Sequence, residues 1–304
     1  GATVVLVLSH LGWPDAERLV AEVDGITAIV GDHFSTVLEQ PKVINGTIVS
    51  RVGDEYDYLG ELTLQIRGGQ VVGWSFTRHE VTAATEPDPR VEAVAASYRA
   101  RLDEALNAPV GETLVPLDAR RAAVRGEETA LGNFIADALR RWAGADVALQ
   151  NGGGIRGDRI FGPGTLTRRD IREILPFENY GVKLEVTGEV LRAALEHGVS
   201  TVEQRHGRFP QVSGLRFRYD PAAPPGQRVK EVWVGERPLD PAARYTLATN
   251  DFLARGGDGY GMLAEATVLI PASSGPLLAN LLEDAVRAGS PIQPRVEGRI
   301  VAER

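Results

Sequence analysis

Cysteine is absent from this 304-residue chain. That excludes disulfides, thiolate chemistry and cysteine-ligated zinc, and it leaves the redox compartment unread. An excess of positive charge is also missing: the formal net charge is −8 and the isoelectric point about 5.3. Proteins that grip a nucleic-acid backbone carry a basic stripe, so a nucleic-acid polymer is not the expected partner, and any phosphate has to be held by a local cluster. Lysine is nearly absent, with only Lys42, Lys183 and Lys230 among 33 basic residues; no function follows from that bias. No apolar run approaches the roughly 18 residues that a membrane-spanning helix needs, and there is no internal repeat or low-complexity tract. Residue 1 is glycine, and the chain is already in an apolar strand at 4–8 with no signal peptide before it. It reads as part of something longer.

What is present is an ordinary globular balance, 43% hydrophobic and 24% charged, at a length that suits two domains of α/β class. The run at 4–8 has the continuous apolar character of a parallel strand covered on both faces. A helix follows from Pro14, with Ala16, Leu19, Val20 and Val23 on one face, and then a second buried strand at 26–30. This is a strand, helix, strand unit. His10 and His33 stand just beyond the carboxyl ends of its two strands, where open α/β sheets place their sites. Each histidine alone could simply hydrogen-bond a loop, but the equivalent positions of the pair point to metal ligands. Alternating segments at 46–52, 59–66 and 71–77 read as strands, the last two joined by Gly68-Gly69. His79, in a charged strand end, reads as solvated.

Prolines 87, 89 and 109 bracket a helix whose apolar stripe is Val91, Val94, Ala95, Tyr98, Leu102 and Leu106. It reads as a connector between domains, which places the boundaries at 1–85, 86–109 and 110–304. The second domain opens with a strand near 114–117. A helix over 128–142 follows, stopped by Gly144, and then a strand ends in Asn-Gly-Gly-Gly-Ile-Arg at 151–156. The opening strand, helix and turn follow βαβ logic. The three glycines are expected to take positive φ cheaply and to leave amides uncovered, with Arg156 adding a guanidinium to an anion-binding turn. A plain tight turn with a solvated arginine is the alternative. Thr167 is placed to cap a short helix ended by Pro176, with Phe177 in the loop beyond. His197 near the end of another helix, with Gly198 after it, is explained by the helix dipole and a glycine stop. Further strands are expected at 209–219, 229–234, 245–249 and 295–301, with a last helix at 276–288.

The second domain therefore offers Arg125, Arg156, the loop aromatics Phe177 and Phe252, and Asp258 in a glycine-rich loop. Singly, Phe177 could be core and Asp258 a turn residue. Together they suit a nucleoside: two faces to sandwich a base, a carboxylate for ribose hydroxyls, and guanidiniums for anionic oxygens. Stacking a base on an aromatic ring contributes roughly 1–3 kcal/mol.

At this point the chain resembles the 5'-nucleotidase family, which includes UDP-sugar hydrolases and 2',3'-cyclic nucleotide phosphodiesterases. The residues that carry the resemblance are Ser9-His10-Leu11-Gly12, Gly31-Asp32-His33, the segment 130–137, the segment 151–156, Leu175-Pro176-Phe177, Val212-Ser213-Gly214, and Asn250-Asp251-Phe252 through Asp258-Gly259. They run in the family's order over nearly the whole chain. The resemblance implies the C-terminal part of a metallophosphatase α/β sandwich, a connector helix, and a second α/β domain with a mixed sheet that binds nucleotide. It implies base stacking by Phe177 and Phe252, a ribose contact by Asp258, a base contact by Asn151, anion contacts by Arg125 and Arg156, and one metal held by His10 and His33. Two divalent ions such as zinc or manganese, metal-dependent hydrolysis of nucleotide phosphoesters in nucleotide catabolism, and export to the periplasm or cell surface follow on the same basis.

The departures are as informative. The family's Asp-x-His and Gly-Asn-His-Asp/Glu segments, with the catalytic histidine, occur nowhere in these 304 residues. Where the family has His or Gln two residues after the histidine aligned with His33, this chain has Ser35, a poor ligand for a divalent metal. Ser35 is the best support for a rival reading, a non-catalytic nucleotide-binding or envelope-structural protein. A sugar-binding module built on Trp13, Trp74, Trp142 and Trp233 is a weaker one, since the four are scattered over strands and helices.

Overall fold

A computed structural model describes residues 2–31, 36–53 and 56–303. The chain divides into two compact units, Gly1–Ala95 and Ala96–Arg304.

In the first unit, β1 (Leu6–Leu8), β2 (Ala28–Val30) and β4 (Thr47–Ser50) run parallel, with β3 (Lys42–Ile44) antiparallel to β4 at the far edge. Helix α1 (Trp13–Glu22) starts with Pro14 in its first turn, where a missing amide costs nothing, and buries Ala16 and Val20. Val20, Ile26, Ile29 and Val49 form the core, with Val7 packed against it. The expectation that the first strand is covered on both faces fails. Alternation sends Leu6 and Leu8 to the face opposite Val7; cover there extends over Ala28 and Ile48 but runs out at the sheet edge, leaving Leu6 57% and Leu8 87% exposed. Strands β5 (Tyr58–Arg67) and β6 (Gln70–Glu80) form a long hairpin. Its two-residue turn, Gly68-Gly69, has both φ values positive, which matches the right-handed twist of the strands. Helix α2 (Pro89–Leu106) follows and buries none of its residues.

The second unit is built on a five-stranded sheet of order β13 (Pro210–Ser213), β9 (Val147–Asn151), β17 (Arg244–Asn250), β12 (Gly181–Thr187), β18 (Thr267–Ile270). Within this sheet β9 and β17 pair in parallel and the other neighbours antiparallel. Period-two alternation divides the core in two. Ala148 and Ala248 face the cluster of α4 (Ala130–Ala143), α5 (Arg168–Ile174) and α9 (Leu278–Gly289). Val147, Leu149, Leu184 and Leu247 face the cluster of α6 (Gly188–Val199) and a smaller sheet of order β16 (Arg237–Pro238), β15 (Val229–Val234), β14 (Leu215–Tyr219), β19 (Ile300–Ala302). Helix α4 begins where the Thr129 hydroxyl accepts the Gly132 amide at 2.9 Å, and ends where Gly144 turns left-handed at φ 52.

The expected βαβ continuation from the opening strand is not what forms. The segment divides into β7 (Pro109–Thr113) and β8 (Leu117–Asp118), which pair antiparallel with β11 (Gly164–Thr167) and β10 (Ile160–Phe161) outside the main sheet. Leu117 finds its buried cross-strand partner in Phe161, so the apolar surface is satisfied locally. Short helices α3 (Arg121–Val124), α7 (Asp251–Ala254) and α8 (Gly261–Ala264) complete the unit.

Candidate functional site

The parallel strands β9 and β17 end side by side at Asn151 and Asn250, the position at which such sheets leave an open crevice. Three buried amides lock these ends together. Gln150 Nε2 and Asn250 Nδ2 both donate to Asn151 Oδ1, at 3.2 and 3.1 Å, and Asn250 Nδ2 also donates to Gln150 Oε1 at 3.1 Å. Asn250 Oδ1 accepts the Leu253 amide at 2.9 Å and so caps α7. With its oxygen occupied by two donors, Asn151 turns its Nδ2 towards Asp258 and donates to Oδ2 at 2.7 Å. Both ends of the Asn151 amide are thus engaged within the chain, with one N–H of Nδ2 left over, and the residue also lines the cavity described below.

The glycine turn works differently from the sequence expectation. None of Gly152, Gly153 and Gly154 has a positive φ. Two of their amides are also spent, Gly152 N on Phe209 O and Gly153 N on Gly207 O, each at 2.7 Å. What the turn needs is room. A Cβ on Gly152 would lie 2.1 Å from Val124 O, one on Gly154 2.4 Å from Gln150 Nε2, and one on Gly153 2.7 Å from Gly207 Cα and 3.1 Å from Asp258 Oδ2. The strand end, the 207 loop and the 258 loop press together over these three residues.

This packing frames a cavity of about 320 Å³ lined by Arg125, Asn151, Arg156, Phe177, Phe252 and Asp258, together with Gly153, Gly154, Asn179 and Gly207. All six binding residues expected from the sequence meet here. Asn179 and Gly207 were not anticipated; the only signal for Asn179 was its position two residues beyond Phe177. Phe177 and Phe252 are 43% and 38% exposed, unusual for phenylalanine in a well-packed unit. Arg156 donates from Nε to Gly153 O at 3.0 Å, and its Cζ stands 5.0 Å from the centre of the Phe177 ring.

Arg125 is the least satisfied group in the cavity. It closes α3, is 8% exposed, and its Nε is buried with no hydrogen-bond partner; among the described residues no carboxylate pairs with its guanidinium. Burial, and then the positive charges of Arg121 and Arg156, pull the Arg125 guanidinium below an arginine's ordinary range. Buried charge without a partner is costly, so the arrangement calls for an anion. A larger cleft of about 840 Å³ lies between α4, α9 and the segment 291–299. There Asp137 and Arg299 already neutralise each other at 2.7 and 3.0 Å, and the buried atom left without a partner among the described lining residues is the neutral Asn133 Oδ1.

His10 follows β1 and is exposed; His33 and Ser35 lie outside the described residues. Among the described residues no group of three or more His, Cys, Asp or Glu could hold a metal ion.

His197 was explained from the sequence by the helix terminus alone, and the structure gives it another setting. Helix α6 continues through Gly198 to Val199. The His197 Nε2 lies 2.9 Å from the backbone oxygen of Asp258, and its ring packs edge-on against Tyr260, centroids 4.9 Å apart.

The sequence model described as "5'-nucleotidase, C-terminal domain" matches residues 109–265. The chain is 33% identical over 97% of its length to a trifunctional nucleotide phosphoesterase of Bacillus subtilis, of which it spans 21%. It is 27% identical, also over 97% of its length, to the human 5'-nucleotidase, of which it spans 58%. The crystal structure of a 5'-nucleotidase precursor from Thermus thermophilus superposes with a TM-score of 0.66 at 32% identity, covering 99% of this chain and 64% of that one. In each case the chain spans less than two thirds of its relative.

Proposed function

Because this chain belongs to the 5'-nucleotidase family, we propose that it supplies the nucleotide-binding part of a phosphohydrolase that cleaves nucleotide phosphoesters. Phe177 and Phe252 stack the base, and Asn179 offers a donor and an acceptor to its edge. Asp258 accepts the ribose hydroxyls through Oδ1, its other oxygen being held by Asn151. Arg125 and Arg156 take the phosphate, a charge-assisted contact that satisfies the Arg125 guanidinium. The observation that carries the reading is that buried, unpartnered arginine beside two exposed rings and a tethered carboxylate.

The residues described here do not make a metal centre by themselves. The chain spans less than two thirds of its Bacillus, human and Thermus relatives, and we propose that hydrolysis, two divalent ions and export to the periplasm or cell surface belong to the full-length protein, with His10 and His33 as two ligands of one ion. No helix among the described residues is long and apolar enough to cross a membrane.

The test is calorimetric titration of the chain with AMP, adenosine and inorganic phosphate. AMP is expected to bind more tightly than adenosine, and phosphate most weakly. Phe252→Ala and Asp258→Ala should each weaken both AMP and adenosine. Phosphate binding as tightly as AMP, or a folded chain that takes up no adenosine, would sink the reading.

A further inference from the structure

The loop that presents Asp258 is conformationally expensive. Gly256, Asp258 and Gly259 all have positive φ, at 88, 52 and 85, and Asp258 is the one residue of the three with a side chain to strain. Something has to hold it there. Asn151 fixes the carboxylate from below. The backbone is fixed from the opposite side by α6: His197 Nε2 is 2.9 Å from the Asp258 carbonyl oxygen. A carbonyl only accepts, so Nε2 carries the hydrogen.

His197 is itself braced. Tyr260 is fully buried, donates its hydroxyl to Arg208 O at 2.6 Å, and sets its ring against the imidazole. The loop closes over the same ring: a Cβ on Gly259 would lie 2.8 Å from His197 Cε1. On the other flank, the space beside Gly198 is filled by the Tyr260 hydroxyl and Pro210, each 2.8 Å from where a Cβ would stand. Tyr260 thus anchors the imidazole, and the imidazole anchors the Asp258 carbonyl.

We propose that His197 is a positioning residue for the sugar end of the nucleotide, holding Asp258 in its left-handed conformation so that Oδ1 meets the vicinal ribose hydroxyls. The proposal rests on the ribose role given to Asp258 above. It predicts that His197 governs discrimination between sugars and leaves base stacking alone.

The experiment compares adenosine with 2',3'-dideoxyadenosine by calorimetry in the wild-type chain and three variants. His197→Phe keeps a ring against Tyr260 and removes the donor. It should lower adenosine affinity about tenfold, the scale of one hydrogen bond, while dideoxyadenosine changes less than about twofold. His197→Gln, whose amide nitrogen stands as many bonds from Cβ as the imidazole Nε2, should restore the wild-type preference. If His197→Phe does not fold, His197→Leu replaces it and is judged by the same ratio. A donor-free variant that keeps the preference for adenosine, or one that weakens both nucleosides equally, overturns the proposal.

Asp258→Ala separates this failure from that of the underlying reading. If it leaves the preference intact, the ribose role fails and the positioning role with it. If it abolishes the preference while the donor-free variant does not, the pocket reading stands and only His197 is misassigned.

Discussion

Arg125 shows how one side chain can carry a specific expectation in two directions. In the free chain it is a buried cation without a partner, so its removal should cost the fold little or nothing. On the proposed reading a bound phosphate supplies it with charge-assisted hydrogen bonds. Arg125→Met should therefore lower AMP affinity about tenfold to a hundredfold and change adenosine affinity less than about twofold. The unfolding midpoint of the free chain, read by scanning calorimetry, should stay level or rise. Unchanged AMP affinity would show that the guanidinium does not face the phosphate. Six of the cavity residues were legible in the sequence by type, arginine, phenylalanine, aspartate and asparagine beside turns, although Phe252, expected in a loop, stands in the short helix α7 and Arg125 caps α3. The reasons for the glycines were not. Val124, Gly207 and Asp258 crowd Gly152 and Gly153 from distant parts of the chain, and no local pattern reveals such an approach. His197 was missed for a related reason: helix-end rules accounted for it locally and hid its contact with the 258 loop.

Among the elements, those with a local boundary signal were the ones read well. Gly144 ends α4, Gly68-Gly69 turns the β5–β6 hairpin, and Thr167 begins α5. At Thr167 the cap is a full box. Its hydroxyl accepts the Asp170 amide at 3.3 Å and donates to Asp170 Oδ2 at 2.7 Å, while its own amide donates to the same oxygen at 2.8 Å. Thr167→Ala should cost about 1 kcal/mol in urea unfolding, and Thr167→Ser only a fraction of that. Equal stability of the two variants would mean that Arg159, which also reaches Asp170 at 2.9 Å, holds the helix start unaided. Strand pairing was less legible. β8 chose Phe161 over a place in the central sheet, a choice made between non-local partners of similar apolar character.

At the scale of the whole molecule, the two units are unequally built. Among the described residues, the hydrophobic cluster of the first is a small one around Val20, Ile26, Ile29 and Val49, whereas the second has two extended clusters on either side of its sheet. Urea should unfold the chain in two steps, the first unit leading. A Trp13→Phe, Trp74→Phe chain, fluorescing only from Trp142 and Trp233, should report the second step alone; a single coincident transition would show the units to be one cooperative body. Acid should weigh on the second step. Asp118 and Glu203 are held below the ordinary carboxylate range by Arg120 and Arg228, and at Asp137 burial is outweighed by Arg299 and the Ser213 hydroxyl. Carboxyls depressed in the folded state lend stability in full above the unfolded value, near 4, and lose it as pH falls through the lower folded value. The midpoint of the second step should therefore drop as pH is taken from 7 towards 3. Salt reaches the molecule by another route. Gln150, Asn151 and Asn250, which lock the strand ends beneath the cavity, carry no net charge for counterions to screen, while Arg125, Arg156 and Asp258 in its lining do. On the proposed reading, brine should therefore loosen the hold on a phosphate while the amide lock at the strand ends stays shut, an electrically mute footing under a charged lining.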